Sequence, residues 1–219
     1  MYRVSVNAED DAALPEDRRW ARKHRAIIDA AAALFLEHGY LGTSMDDLAA
    51  LARISKQTIY KHFGDKESLF IEMVTTIVDE ISDPVHEEVL ALQDTGDIAA
   101  DLRDLARRQI ASVMTPRLLA LRRLVIAEAG RFPELGHAFY ERGPGRTIAS
   151  LAATFERLGA RGRLVPGDWN TTAAHFNWLV MSEAINRAML LGPGTPAGDL
   201  TRQADDGVRA FLAVYGMPG

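Results

Sequence analysis

Thr43-Ser44-Met45-Asp46-Asp47-Leu48-Ala49-Ala50-Leu51-Ala52-Arg53-Ile54-Ser55-Lys56-Gln57-Thr58-Ile59-Tyr60-Lys61-His62-Phe63 reads as two short helices joined by a tight turn. Ser44 stands three residues before Asp47, a capping-box-like start in which hydroxyl and acid satisfy free backbone N–H groups. Met45, Leu48, Ala49 and Ala52 then line one face of the first short helix. Ile54 fills the turn, and Ser55 caps a second helix from Lys56 to Phe63. Ile59 and Phe63 are four apart and pack inward. Lys56, Gln57, Thr58, Tyr60 and Lys61 are left facing outward or along the edges. Two such helices packed on a preceding one form a helix-turn-helix.

The outward set suits a major groove. Gln57 can pair with an adenine edge, Thr58 can touch a thymine methyl or a base edge, and Lys56 and Lys61 can reach guanine or phosphate. Tyr60, His62 and Lys66 offer donors to phosphate oxygens. The N-termini of the two helices, at Ser44 and Ser55, add free N–H groups and partial positive charge. A solvated helix face is the plainer alternative.

Upstream, Arg18 to His38 repeats Ile27, Ala31, Leu34 and Phe35 on one face, and Gly39 ends that helix. Downstream, Gly64-Asp65 breaks the chain and Asp65 caps a long helix starting at Lys66. That helix carries Leu69, Met73, Ile77 and Ile81 inward until Pro84 kinks or ends it. Gln93-Asp94-Thr95-Gly96 reads as a linker. Helices are expected beyond it at 97–114, 116–130, 133–142, 145–161, 168–191 and 199–215. Pro133, Gly143-Pro144-Gly145, Gly162, Pro166-Gly167 and Gly192-Pro193-Gly194 separate several of them. No stretch alternates long enough for a strand. The expected fold is all-α, with an acidic, flexible arm over 1–17, a three-helix DNA-binding domain over 18–66 and a helical body over 67–219.

Composition limits the function classes. Hydrophobic residues make up 47 % of 219, enough for a substantial core. The absence of cysteine excludes disulfides, thiolate zinc sites and cysteine nucleophiles, and fits a cytoplasmic protein. No apolar run is long enough to span a bilayer, so no membrane partner is expected. The net charge is −5, yet residues 18–66 hold nine Lys/Arg against five Asp/Glu. A basic segment on an acidic chain fits contact with phosphate by one part alone.

The 168–191 helix is apolar on two sides, with Phe176, Val180 and Ala184 on one and Trp178, Met181, Ile185 and Met189 on another. Leu200, Ala204, Val208, Phe211, Leu212 and Tyr215 form a matching stripe on the last helix. Such a helix is buried on both faces, either against a second copy in a homodimer or at the centre of a monomer. Catalytic chemistry is not visible. Gly143-Pro144-Gly145-Arg146-Thr147 lacks the preceding strand and lysine of a phosphate loop and reads as a turn and helix start. Glu128, Glu134 and His137 form no compact ligand set and suit capping or surface pairing. His175 reads as a half-buried or pocket histidine. No enzyme activity, metal or cofactor is expected.

The stretch from Ile27 to Met73 resembles the DNA-binding region of the TetR family. The resemblance rests on Ala31-x-x-Leu34-Phe35-x-x-x-Gly39-Tyr40, Thr43-Ser44-Met45-x-x-Leu48-Ala49, Ser55 to Phe63, and Lys66-Glu67-x-Leu69. It implies phosphate contacts for Thr43, Tyr60, His62 and Lys66, and a groove-facing role for Lys56, Gln57, Thr58 and Lys61. The Arg18-Arg19-Trp20 entry departs from the pattern. Residues 123–135, followed by Phe139-Tyr140, resemble the AefR-like C-terminal subgroup, often tied to responses to lipophilic compounds. Together these imply a homodimer on a palindromic double-stranded DNA operator, a small apolar or aromatic effector, and a repressor role by default. Activation, or DNA binding without an effector, are the alternatives. Gln109, Phe139, Trp178 and Met181 are the candidate ligand contacts, each on a helix expected to face the interior of the body.

Overall fold

The computed structural model describes residues 16–92, 96–193 and 198–217. Most of the expected N-terminal arm and of the 93–96 linker therefore lie outside the described residues, as does part of the turn after Gly192. The described residues are helical throughout except for turns and one isolated bridge, Leu164 to Gly216. Two compact units emerge, one ending at Val74 and the other beginning at Thr75.

The first unit holds α1 (Glu16–Gly42), α2 (Met45–Ala52), α3 (Lys56–Phe63) and the start of α4 (Lys66–Ala91). Helical geometry in α1 breaks at Gly39, where φ is 70° and ψ 177°, a backbone region that side chains rarely enter. Ser44 Oγ accepts the Asp47 N–H at 3.1 Å, and its hydroxyl donates to the Asp47 carboxylate at 2.6 Å. Ser55 Oγ accepts the Thr58 N–H at 3.2 Å in the same way. Arg53 closes α2 in the left-handed region at φ 57°, so the turn to α3 is tight without a glycine. Ile27, Phe35, Leu48, Ile59, Leu69, Phe70 and Met73 are fully buried. The Phe70 ring lies 4.8 Å from Phe35 and 5.1 Å from Tyr40, centre to centre.

The second unit holds the rest of α4, then α5 (Ile98–Val113), α6 (Pro116–Glu128), α7 (Pro133–Tyr140), α8 (Arg146–Ala160), α9 (Trp169–Leu191) and α10 (Leu200–Tyr215). One of the two readings of Pro84 is excluded. Pro84 does not end α4, which continues to Ala91. Pro84 is exposed, so water can serve the carbonyl it frees, while buried Val85 and Val89 carry the helix onward. Gly143-Pro144-Gly145 does interrupt the helical path: a π-helical turn, Glu141–Gly145, whose Gly143 leaves helical geometry at φ −96° and ψ −107°, joins α7 to α8, and Arg142 and Arg146 tie it to Asp79 and Asp83 of α4.

The core of this unit gathers the rings of Phe155, Phe176 and Phe211 at 5.2–5.7 Å from one another. α9 and α10 meet so closely that a Cβ on Gly207 would stand 2.8 Å from the Leu179 carbonyl oxygen. Backbone cannot yield as a flexible side chain does. Gly207→Ala should therefore lower unfolding stability by about 1–3 kcal/mol. Urea denaturation checks this; an unchanged midpoint would show that the helices separate at little cost.

Candidate nucleic-acid interface and ligand cavity

Eight residues are enough for two turns of α3, and the sequence divides its faces. Ile59 is 0 % and Phe63 6 % exposed. Ser55, Lys56, Gln57, Tyr60, Lys61 and His62 are exposed, and Thr58 is half-buried. The Ser55 hydroxyl also meets the Thr58 hydroxyl at 2.7 Å, so these two groups order the first turn. Gly64 donates its N–H to the Tyr60 carbonyl at 2.9 Å and closes the helix. Asp65 then caps α4 by accepting the Ser68 N–H at 2.7 Å, a bond that also holds its carboxyl below the usual value.

Several side chains of this face are already engaged. Lys56 Nζ donates to both Asp46 oxygens at 2.9–3.0 Å, which raises its pKa and links α3 to α2. The His62 ring stacks on Trp20 at 3.5 Å between centres, tying α3 to the start of α1. His24 continues that contact, meeting Phe63 ring to ring and Glu72 through Nε2. Lys66 is half-buried, its ammonium 4.4 Å from the Tyr40 ring centre. Thr43 stands apart from the other candidates. It is only 3 % exposed, and its hydroxyl donates to the Gly39 carbonyl at 2.9 Å. Its side chain secures the α1–α2 junction instead of facing outward. Ser44 is exposed beside it.

In the second unit, Gln109, Phe139, Trp178 and Met181 all line one cavity of about 50 Å³. Val78, Ile81 and Val85 of α4, Leu118 of α6, and Gly143 and Pro144 of the π-helical turn complete much of the wall. Gln109 and Asn177 are each 2 % exposed and share a hydrogen bond, Gln109 Nε2 donating to Asn177 Oδ1 at 3.2 Å. Trp178 is 38 % exposed and stands at the edge. Sequence reasoning missed Arg122, which also lines the cavity. The signal was present: Leu118, Arg122 and Val125 follow i, i+4, i+7, so the arginine shares a buried stripe. His175 is exposed and so not half-buried; it borders an open groove with Trp178 and Leu179 and pairs with the Tyr215 hydroxyl.

Among the described residues, no cluster of three His, Asp or Glu side chains is placed to hold a metal ion, and no helix is long and apolar enough to cross a membrane. Comparison with known proteins assigns both units. The family model for the AefR-like transcriptional repressor C-terminal domain matches residues 100–217, and that for the tetR family of bacterial regulatory proteins matches 27–73. A TetR-family transcriptional regulator from Mesorhizobium loti MAFF303099 is 44 % identical, with a TM-score of 0.85 over 90 % of this chain and 98 % of that one. The flavonoid-responsive regulator FrrA is 30 % identical, with a TM-score of 0.69 over 91 % of this chain and all of the other. IcaR of Staphylococcus aureus, the negative transcriptional regulator of the biofilm operon, is 41 % identical over 56 residues, covering 26 % of this chain and 30 % of its own length. The chain belongs to the TetR family and is a DNA-binding transcriptional regulator, not an enzyme.

Proposed function

We propose that the protein is a cytoplasmic repressor that binds a palindromic operator as a homodimer and releases it when a small apolar or aromatic effector enters the cavity of the second unit. One observation carries this reading: α4 begins three residues after the recognition helix α3 and, in its later turns, supplies Val78, Ile81, Ser82 and Val85 to the cavity wall. A change in that wall acts on the helix that follows α3. The flavonoid-responsive FrrA supports an aromatic effector, and IcaR supports repression. An effector shifts the DNA-binding equilibrium only by its difference in affinity for the two states.

Dimerisation uses the outer faces of α9 and α10. Leu179 and Val214 are 43 % and 65 % exposed there, beside Trp178, and an apolar surface on a lone subunit favours covering. Two recognition helices related by a two-fold axis then read two half-sites about one DNA turn apart. Gln57 and Thr58 read bases, with Lys56 shared between Asp46 and the groove. Ser44, Ser55, Tyr60, Lys61, His62 and Lys66 hold phosphates, and Thr43 supports them from beneath.

Light scattering of the free protein should give twice the chain mass; a monomer that still binds palindromic DNA tightly overturns the dimer architecture. On an operator selected from random duplexes, Gln57→Ala should cost about 1–3 kcal/mol and relax preference at one base position per half-site. Lys61→Ala should weaken all sequences alike and reduce the salt slope by about one unit per lost phosphate contact. Binding isotherms on operator and scrambled DNA at two salt concentrations separate these effects. A thermal-shift screen with lipophilic and aromatic compounds, followed by DNA release by the hits, tests the effector itself. If no compound alters operator affinity, the regulator acts without one.

A further inference from the structure

Arg122 brings a cation to the lining of the cavity. Its Nε is sealed from solvent and has no hydrogen-bond partner. Neighbouring arginines on α6 are engaged: Arg117 pairs with Glu80, and Arg123 donates to the Ala188 carbonyl at 3.0 Å. No carboxylate among the described residues pairs with Arg122, whose guanidinium carbon lies 5.2 Å from the Phe139 ring centre. Burial alone draws its pKa below the usual arginine range, and an arginine so placed still carries its charge near neutrality. Arg122 is half-buried, and a partly desolvated cation without a counter-charge weakens the fold, a cost that a bound anion offsets.

The second polar feature is the amide pair. Gln109 Oε1 and Asn177 Nδ2 are both buried without partners, beyond the bond the two side chains share. Exchanging the nitrogen and oxygen of both amides swaps the roles but still leaves one donor and one acceptor unpaired. The cavity thus offers a cationic donor, a neutral donor and an acceptor within apolar walls. A purely apolar guest leaves all three unpaired in a drier space. Arg122, Trp178 and Ile185 also border an open groove outside, so the guanidinium stands at the partition between cavity and surface.

We propose that the effector is a small hydroxylated aromatic carboxylate. Its carboxylate takes the Arg122 guanidinium. Its hydroxyl, donor and acceptor at once, completes the Gln109–Asn177 pair. The ring lies against Phe139, Trp178 and Met181. This narrows the effector reading above and rests on it.

Two probes of nearly equal shape, one anionic and one neutral, test the idea: 4-hydroxybenzoate and 4-hydroxybenzamide, titrated calorimetrically into the full-length protein. The acid should bind roughly tenfold to a hundredfold tighter than the amide. Arg122→Met should abolish that gap by weakening the acid and leaving the amide unchanged. Without ligand, the same variant should melt no lower than the parent, because it loses an unpaired, partly desolvated charge. Equal binding of both probes by the parent overturns the anion inference but keeps the effector reading, since a neutral ring has entered the cavity. Binding of neither probe overturns the inference, and the lipophilic screen then decides the effector reading separately. A lower melting temperature or a split dimer in Arg122→Met assigns the arginine to a structural partner and also overturns it.

Discussion

An eight-residue helix does not hold its shape alone in water, because nucleation costs more than two turns of hydrogen bonds return. The recognition helix α3 therefore exists only through what it buries. Ile59 and Phe63 anchor one face, Ser55 and Gly64 satisfy its ends, and His62 leans on Trp20. Reading a base edge needs side chains held in place before the DNA arrives, since ordering them at binding would subtract from affinity. The Lys56–Asp46 pair matters more for this than for stability. Both groups are exposed, so the pair is weak, yet it fixes where one cation of α3 points in the free protein.

The sequence made the head legible because its determinants are local. Ser44 with Asp47, Ser55 with Thr58, and Asp65 with Ser68 each act over three residues, and Gly39 acts on its own backbone. Periodicity separated Ile59 and Phe63 from the outward set for the same reason. Local signals left more open where they were answered from far along the chain. Pro84 is a strong helix breaker, but the burial of Val85 and Val89 depends on helices that arrive later. Gly143-Pro144-Gly145 does break the helical path, but the pairing of Asp79 and Asp83, more than sixty residues earlier, with Arg142 and Arg146 on either side of the break could not be read locally. His175 takes its partner from Tyr215, forty residues on.

The cavity shows the same division. Helix faces could be assigned from spacing, and Gln109, Phe139, Trp178 and Met181 do line one space. Arg122 escaped because an arginine within a helix reads as surface, where the charge is solvated. Its place on the stripe of Leu118 and Val125 outweighs that expectation, since a helix rotates all its side chains together. Thr43 is the converse case: a residue type expected at a phosphate, turned inward by the Gly39 carbonyl it can reach.

Size then links binding to movement in the proposed mechanism. A space of about 50 Å³ holds a few water-sized probes, whereas pockets for small organic ligands run to roughly 300 Å³ and above. A ring can enter only by displacing walls, and three of the elements available are α4, the π-helical turn and Trp178 at the edge. The two pairs that join the turn to α4, Arg142–Asp79 and Arg146–Asp83, are partly exposed and so contribute little to holding it closed. The turn also contains Gly143 outside helical geometry, which makes it a place where backbone can adjust without unwinding a full helix. α4 lacks such a break among its own cavity-lining residues, for Pro84 leaves it continuous. Pressure from a ligand is thus shared between a turn that can yield in place and a helix that transmits displacement along its length, and that helix starts directly after the recognition helix.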